Sequence, residues 1–458
     1  MVVDIILFIF FLYMAIYTLI TIVSSTYALR ELNQRKLFRQ LVQHIDYQVP
    51  LPPISIFIPA YNEEKTILKT LESLRYVDYP EFEIIVINDG STDQTLEVLK
   101  ENFALKERDP FIKQRLKTKK IRHVYEYQGD DLPLIVIDKE NGGKSDALNV
   151  GINVSKYPLF VTVDADSMLQ KDSLQKIVMP YLQYDHVVAV GGDVKISNGV
   201  TLEKGEVTKM NIPHSPILVF QILEYFRAFL TTRVWFNRFN GNLIISGAFG
   251  LFDKNAALAV NGYSTNTIGE DMDLVVKLHS YHKKNRLPYR IEYSIEAICW
   301  TQGPKKWRDL KGQRIRWHIG LMQSLFSHRY IFFNTHYGWV SLFSFMYFFM
   351  YELINPIVIV LALVFSTYLL FRKMVYFKFV IAFILLYLTY TVINAWSSLY
   401  LERYFYNDKI SKWDQFRLII YCILENFGYR QWNLYCKFIA LFSFRKKEEK
   451  EWGEIERE

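Results

Sequence analysis

Residues 159–166 read Leu-Phe-Val-Thr-Val-Asp-Ala-Asp. The first five form a short run with strand character, and Asp164 and Asp166 stand just beyond it. Carboxylates at i and i+2 can point the same way. A hard cation takes oxygen ligands and commonly bridges carboxylates to a substrate's phosphates. The pair is therefore a candidate metal site, although Asp-x-Asp by itself is also a common turn. Working outward, Ile54–Pro59 and Glu83–Ile87 are further apolar runs of strand length, and Val187–Val190 is another. Residues 62–75 carry Ile67, Leu68, Leu71 and Leu74 on one helical face, and a turn and a helix follow from Thr92. Strands alternating with helices predict an α/β fold with a mostly parallel sheet. Residues 104–132 interrupt the rhythm and read as a peripheral insertion.

Ligands of open α/β sheets bind where the strands end, and polar clusters fall at those places. Tyr61-Asn62-Glu63 follows the first strand and Asn88-Asp89-Gly90-Ser91-Thr92-Asp93 the second. Such residues make turns and helix caps in their own right. Two such turns in one sheet can also hold a base and a ribose. Asn141-Gly142-Gly143-Lys144-Ser145 resembles a phosphate loop, but the earlier glycine that motif needs would fall at Asp138. What survives is a glycine-opened helix start with Lys144 placed to meet a diphosphate. Further on, Gly269-Glu270-Asp271-Met272-Asp273 puts three carboxylates at a helix start. They either compensate the helix dipole or supply a general base. Gln313-Arg314-Ile315-Arg316-Trp317 lies in a basic, aromatic segment, where an Arg-Trp pair is usually a membrane anchor.

The chain has 458 residues, 51% hydrophobic and 22% charged, with a formal net charge of +7. That balance suits a soluble domain joined to membrane segments. Residues 5–24 carry no charge and are long enough to cross a bilayer. Arg30, Arg35, Lys36 and Arg39 follow, which places that end in the cytoplasm. The expected divisions are a transmembrane helix at 1–28, a linker at 29–53 and the α/β domain at 54–303. Amphipathic interface helices at 304–336, membrane helices at 337–445 and a charged cytoplasmic tail at 446–458 complete the chain. Within the membrane portion, spans are expected at about 350–371 and at 376–398. Residues 415–443 read as a third span, a re-entrant hairpin or an interfacial pair. The basic tail argues for an odd number of crossings. No basic stripe interleaved with aromatics suggests nucleic acid. The three cysteines, Cys299, Cys422 and Cys436, have neither disulfide nor zinc spacing.

Taken in this order, the clusters resemble the family 2 glycosyltransferases, and most of all the processive membrane branch that includes hyaluronan, chitin, cellulose and poly-N-acetylglucosamine synthases. The resemblance covers roughly residues 54–320 and the flanking membrane segments. It implies a GT-A fold (Rossmann-like, mostly parallel) and a UDP-sugar donor. Asp89, with Tyr61, Asn62 and Glu63, would hold uracil and ribose, and Lys144 would assist at the diphosphate. Asp164 and Asp166 match the Asp-x-Asp motif that binds Mg²⁺ or Mn²⁺. In the motif containing Glu270 and Asp271, Asp271 matches the catalytic base. Gln313, Arg316 and Trp317 match the Gln-x-x-Arg-Trp signature, with Gln313 and Arg316 steadying the diphosphate and Trp317 lining the acceptor site. The expected reaction is inverting transfer to a growing polysaccharide at the cytoplasmic face of the cell membrane, coupled to export. Membrane lipids surround such a chain, and a complete channel could call for an accessory membrane subunit or a homo-oligomer. Two rival readings remain. One is a non-processive enzyme with a lipid-linked acceptor, the other a non-catalytic membrane scaffold or transport subunit, against which Asp164, Asp166 and Asp271 count. A dinucleotide oxidoreductase is disfavoured because no Gly-x-Gly-x-x-Gly follows the first strand.

Overall fold

The computed structural model describes residues 2–42, 50–109, 113–374, 376–406 and 410–443. The charged tail expected at 446–458 and part of the expected linker, 43–49, lie outside the described residues.

The apolar runs become strands because a continuous run can be buried on both faces. Those strands are β1 (Ile54–Ala60), β2 (Phe82–Asn88), β5 (Leu134–Lys139) and β6 (Leu159–Val163), and β1 and β6 are buried throughout. The expected insertion supplies β3 (Leu105–Glu107) and β4 (Ile121–Tyr127). Beyond β6 come β7 (Ser167–Leu169), β8 (Val187–Ile196), a separate hairpin of β9 (Val200–Glu203) and β10 (Glu206–Met210), then β11 (Phe249–Asp253) and β12 (Arg290–Thr301). The ten-stranded sheet runs β3-β4-β5-β2-β1-β6-β11-β8-β12-β7. Strands β5, β2, β1 and β6 pair in parallel, as do β8 and β12. β11 is inserted antiparallel between β6 and β8. The rings of Phe57, Phe160 and Phe252 stack across β1, β6 and β11 with centroids 4.8 and 5.4 Å apart. In this way three neighbouring strands fill one face of the sheet with interlocking aromatic area.

The structure bears on three expectations. The first helix does not give way to a linker at residue 29 but continues from Val2 to Val42. Ala28 and Leu32, one turn apart, are buried in the core of the α/β domain, and Tyr27 meets Trp235 edge-on at 5.5 Å. The helix is thus a rigid post rooted in that domain. Second, the segment expected to hold amphipathic interface helices packs one side into the protein and leaves Trp307, Trp317 and Phe326 exposed on it. Trp307–Ser327 is one helix whose residues Leu310, Arg314, His318, Ile319, Gly320, Met322 and Leu325 are buried. Third, of the alternatives for residues 415–443 the single span is set aside, and the re-entrant hairpin and the interfacial pair remain. Helices Lys412–Leu424 and Tyr429–Ser443 break at Glu425–Gly428, and at 13 and 15 residues each is shorter than a ~20-residue crossing.

Among the described residues two helices are long and apolar enough to cross a membrane, within Val2–Gln34 and Phe377–Asn394. A bent pair, Val340–Leu353 and Asn355–Phe371, meets at 46° and raises the number to three if it counts as one span. Pro356, in the first turn of the second segment, lacks the N–H that would continue the first.

Candidate active site

The turns after β1 and β2 are stitched together. Asn62 occupies the left-handed region (φ 57°), which asparagine tolerates. Its side-chain oxygen accepts from the Thr92 N–H at 2.8 Å, and its own N–H donates to Ser91 Oγ at 3.0 Å. Glu63 is buried, accepts from Thr66 Oγ1 at 2.5 Å, and its N–H donates to Thr95 Oγ1 at 2.8 Å. Tyr61 is half-buried beside them. Asp89 is fully buried. Its carboxylate accepts from Lys139 Nζ, from the Gly142 N–H at 3.0 Å and from the Gly143 N–H at 2.7 Å. Burial raises the Asp89 carboxyl, and Lys139 and the two amides oppose that. Three turns of the sheet edge thereby form one unit. Lys139, buried between Asp89 and Asp146, is its centre and was missed in the sequence; its only signal is a lysine closing an apolar strand.

A second group forms where the helix start at Gly143 faces the end of β6. Lys144 Nζ lies 2.5 Å from Asp164 Oδ1 and 3.9 Å from Glu270 Oε1. Against burial, which lowers it, Asp164 and Glu270 hold the Lys144 ammonium above the usual lysine range. Gly247 leaves room for that ammonium, since a Cβ there would come within 2.9 Å of it. Burial pushes Glu270 up to about 7, opposed by Lys144 and reinforced by Asp271. Asp271 is raised as well, by burial, against the Met272 N–H that donates to it at 2.7 Å and against the charges of Lys144 and Arg233. Arg233, whose guanidinium covers the Phe229 ring at 3.8 Å, is a second cation the sequence did not single out.

Asp166 accepts from Ser167 Oγ at 3.1 Å and Thr301 Oγ1 at 3.3 Å. Burial, and then the neighbouring Asp164, push it up to about 6. Two neighbouring carboxylates, with Asp166 raised by burial and by the charge of the other, suit a divalent cation. Among the described residues no group of three or more His, Cys, Asp or Glu is placed to hold one. The donor set therefore fits an ion shared with a substrate's phosphates, which is how Mg²⁺ usually binds, and not an all-protein cage.

Gln313, Arg316 and Trp317 share one face of the helix Trp307–Ser327, at i, i+3 and i+4. The Gln313 side-chain oxygen is buried without a hydrogen-bond partner among the described residues, Arg316 is half-buried, and Trp317 is 46% exposed. This helix is fastened to the start of the Glu270–Lys284 helix. Gly320 and Gly269 touch backbone to backbone, so a Cβ on Gly320 would lie 2.8 Å from the Gly269 Cα. Gln323 Oε1 accepts from the Ile268 N–H at 2.8 Å, and His328 Nε2 lies 2.9 Å from Asp273 Oδ1.

Residues 55–258 match the description "Glycosyl transferase family 2", and residues 159–396, more than half of the chain, match "Glycosyl transferase family group 2". The chain belongs to the family 2 glycosyltransferases. This glycosyltransferase is 29% identical over 267 residues to a poly-beta-1,6-N-acetyl-D-glucosamine synthase of Staphylococcus epidermidis, a match covering 58% of this chain and 54% of that relative. It is also 29% identical over 281 residues to the synthase of the same name from Staphylococcus aureus strain COL, covering 60% and 57%. The glycosyltransferase thus matches little more than half the length of these relatives. Among solved structures, a mannosyltransferase from Pyrobaculum calidifontis in complex with GDP-Man and Mn²⁺ aligns over 94% of this chain and 99% of its own at 16% identity and a TM-score of 0.48. The expected GT-A-like fold and hexosyltransferase class hold for this glycosyltransferase.

Proposed function

We propose that the enzyme transfers N-acetylglucosamine from its UDP-sugar to the end of a growing polysaccharide, with inversion, at the cytoplasmic face of a membrane. The observation that carries this is the convergence of Lys144, Asp164, Glu270 and Asp271, with the helix of Gln313, Arg316 and Trp317 clamped onto Gly269. The sugar identity follows the names of the staphylococcal relatives.

In this reading the stitched turns around Asn62, Asp89 and Lys139 receive the nucleoside. Asp164 and Asp166 would hold Mg²⁺ or Mn²⁺, which would supply Lewis-acid stabilisation of the charge on the departing diphosphate. Lys144, Gln313 and Arg316 bind the same diphosphate and add preorganised donors. Asp271 takes the proton of the acceptor hydroxyl as it attacks the anomeric carbon. A single displacement turns an α-linked donor into a β-linkage. Glu270, beside Lys144, holds that ammonium toward the diphosphate. The indole of Trp317 offers an apolar face to the acceptor ring.

The test is UDP release by the full chain in lipid nanodiscs, over a panel of UDP-sugars with Mg²⁺ or Mn²⁺, with products sized by mass spectrometry. Release with UDP-N-acetylglucosamine and a ladder of products supports the proposal. One sugar added to a lipid replaces it with a lipid-linked acceptor, and no release with any donor overturns it. Trp317→Ala should shorten the ladder more than it weakens UDP binding.

A further inference from the structure

The signature Gln313, Arg316 and Trp317 leaves Arg314 without a role, yet Arg314 is the buried member of the group, 3% exposed. Its guanidinium carbon lies 4.4 Å from the centroid of the Trp317 ring. Its Nη2 donates to Glu224 Oε2 at 2.7 Å, and the same oxygen accepts from the Tyr429 hydroxyl at 2.7 Å. One carboxylate therefore joins three helices: Pro216–Arg227, Trp307–Ser327 and Tyr429–Ser443. Tyr429 is held in turn by the Phe220 ring, stacked at 4.8 Å. The Glu425–Gly428 break is pinned to the same first helix through Arg227, 2.7 Å from Glu425.

Trp317 is half exposed, and its other aromatic neighbour, Tyr225, is 6.4 Å away. A flat guanidinium under one face fixes the indole and leaves the opposite face for a ligand. Arg314 is also costly as a mere strut. Its Nε and Nη1 are buried without hydrogen-bond partners among the described residues, and unsatisfied buried donors in native structures call for an explanation such as function or bound water.

We propose that Arg314 is the positioning residue of the acceptor platform. It sets the plane of Trp317, and through Glu224 and Tyr429 it makes the C-terminal helix pair part of the acceptor site. This rests on the reading of Trp317 as the acceptor residue. Lysine keeps the ion pair but has no plane to stack, so Arg314→Lys separates positioning from simple charge.

The experiment uses the full chain in nanodiscs, labelled with 5-fluorotryptophan, the signal of position 317 assigned by its loss in Trp317→Phe. In Arg314→Lys the fluorine resonance of Trp317 should shift or broaden and UDP affinity should stay within about twofold. With UDP-N-acetylglucosamine as donor, elongation should fall roughly ten- to a hundredfold, as for a misplaced reacting group. That loss should vanish in a Trp317→Ala background. An unmoved fluorine signal overturns the inference whether or not the donor is right, and so does a loss that persists undiminished on Trp317→Ala. A shifted signal with normal elongation by Trp317→Ala keeps Arg314 as the holder of the indole and removes Trp317 from the acceptor site.

Discussion

Gly320→Ala tests whether the contact between two glycines sets the reaction geometry. The new Cβ would lie 2.8 Å from the Gly269 Cα and 2.9 Å from its nitrogen. That is about 0.7 Å short of the ~3.5 Å at which carbon atoms pack. Both sides are backbone, so neither can swing aside. Overpacking of this kind costs roughly 1–3 kcal/mol, while replacing a mid-helix glycine by alanine returns about 0.5–1 kcal/mol. The net expectation is a loss of about 0–2.5 kcal/mol in stability. Gly269 opens the helix whose first two residues are Glu270 and Asp271, so the displacement goes directly to the proposed base. Misplacement by ~1 Å can cost about a hundredfold in rate, and turnover should fall roughly ten- to a hundredfold. UDP affinity should fall less than turnover, because the turns proposed to hold the nucleoside do not touch Gly320, although Gln313 and Arg316 share its helix. Gly312 on the same helix is the control. Its Cβ would meet nothing within 4 Å, so Gly312→Ala should gain about 0.5–1 kcal/mol and keep its activity. The assay is UDP release beside thermal unfolding in the same nanodiscs. Turnover of Gly320→Ala within twofold of the parent would refute the reasoning, as would equal losses from both substitutions.

Asp271→Asn should fold and bind UDP but lose transfer by about 10²–10⁴-fold, read as UDP release against UDP affinity. Asp164→Asn or Asp166→Asn should abolish the gain in nucleotide affinity that Mn²⁺ gives, measured by calorimetric titration with and without EDTA; an unchanged gain removes the pair as ligands. Lys139→Met leaves Asp89 and Asp146 buried without their cation, a change that costs about 3–5 kcal/mol for a broken buried pair, and a melting temperature equal to the parent's would contradict it. Glu270 sits up at about 7, above its ordinary value of 4.5, so the folded state holds a proton that the unfolded state releases first. Its effect on stability is absent below about pH 4.5, becomes more unfavourable as pH rises from there to about 7, and is complete above. Glu270→Gln should flatten that fall and be the more stable protein at pH 8 by on the order of 1–3 kcal/mol, checked by unfolding at a series of pH values.

The sequence announces elements whose burial is local. β1, β2 and β6 are unbroken apolar runs, and the polar turns that follow β1 and β2 stand where those strands end. Elements that depend on a distant partner stay hidden. β8 looks finished at Val190 because Gly191-Gly192-Asp193-Val194-Lys195 offers no apolar pattern. The strand nevertheless continues to Ile196, since Gly192 makes room for the Phe249 ring and Asp193 and Lys195 are buried 3.8 Å apart. The antiparallel entry of β11 is likewise a non-local pairing that no window of sequence reveals. The helix Trp307–Ser327 misleads by composition. Its arginines and tryptophans suggest an interface, and no local signal shows that Arg314 and His318 are covered by the Tyr429–Ser443 helix and its neighbours. Lys139 and Arg233 are legible only once the fold has placed carboxylates around them.

The charge in the site explains why its parts need one another. Asp164, Asp166, Glu270 and Asp271 converge on Lys144, with Arg233 acting from behind Asp271. Four carboxylates against two cations is an excess of negative charge in a place meant to receive a diphosphate. The protein answers by burial, which favours protonation of Glu270 and Asp166, and by committing Lys144 to Asp164. Both answers are reversible. A divalent cation held by Asp164 and Asp166 would relieve the repulsion between the two aspartates, and Lys144 could then turn toward a bound diphosphate, with Glu270 already within 3.9 Å of its ammonium. Asp271 is raised by burial too, against the Met272 N–H and the charges of Lys144 and Arg233. In the proposed reading, one helix start gives two neighbouring carboxylates different tasks, a charge partner for Lys144 and a base, and the Gly269–Gly320 contact ties both to the helix that carries Trp317.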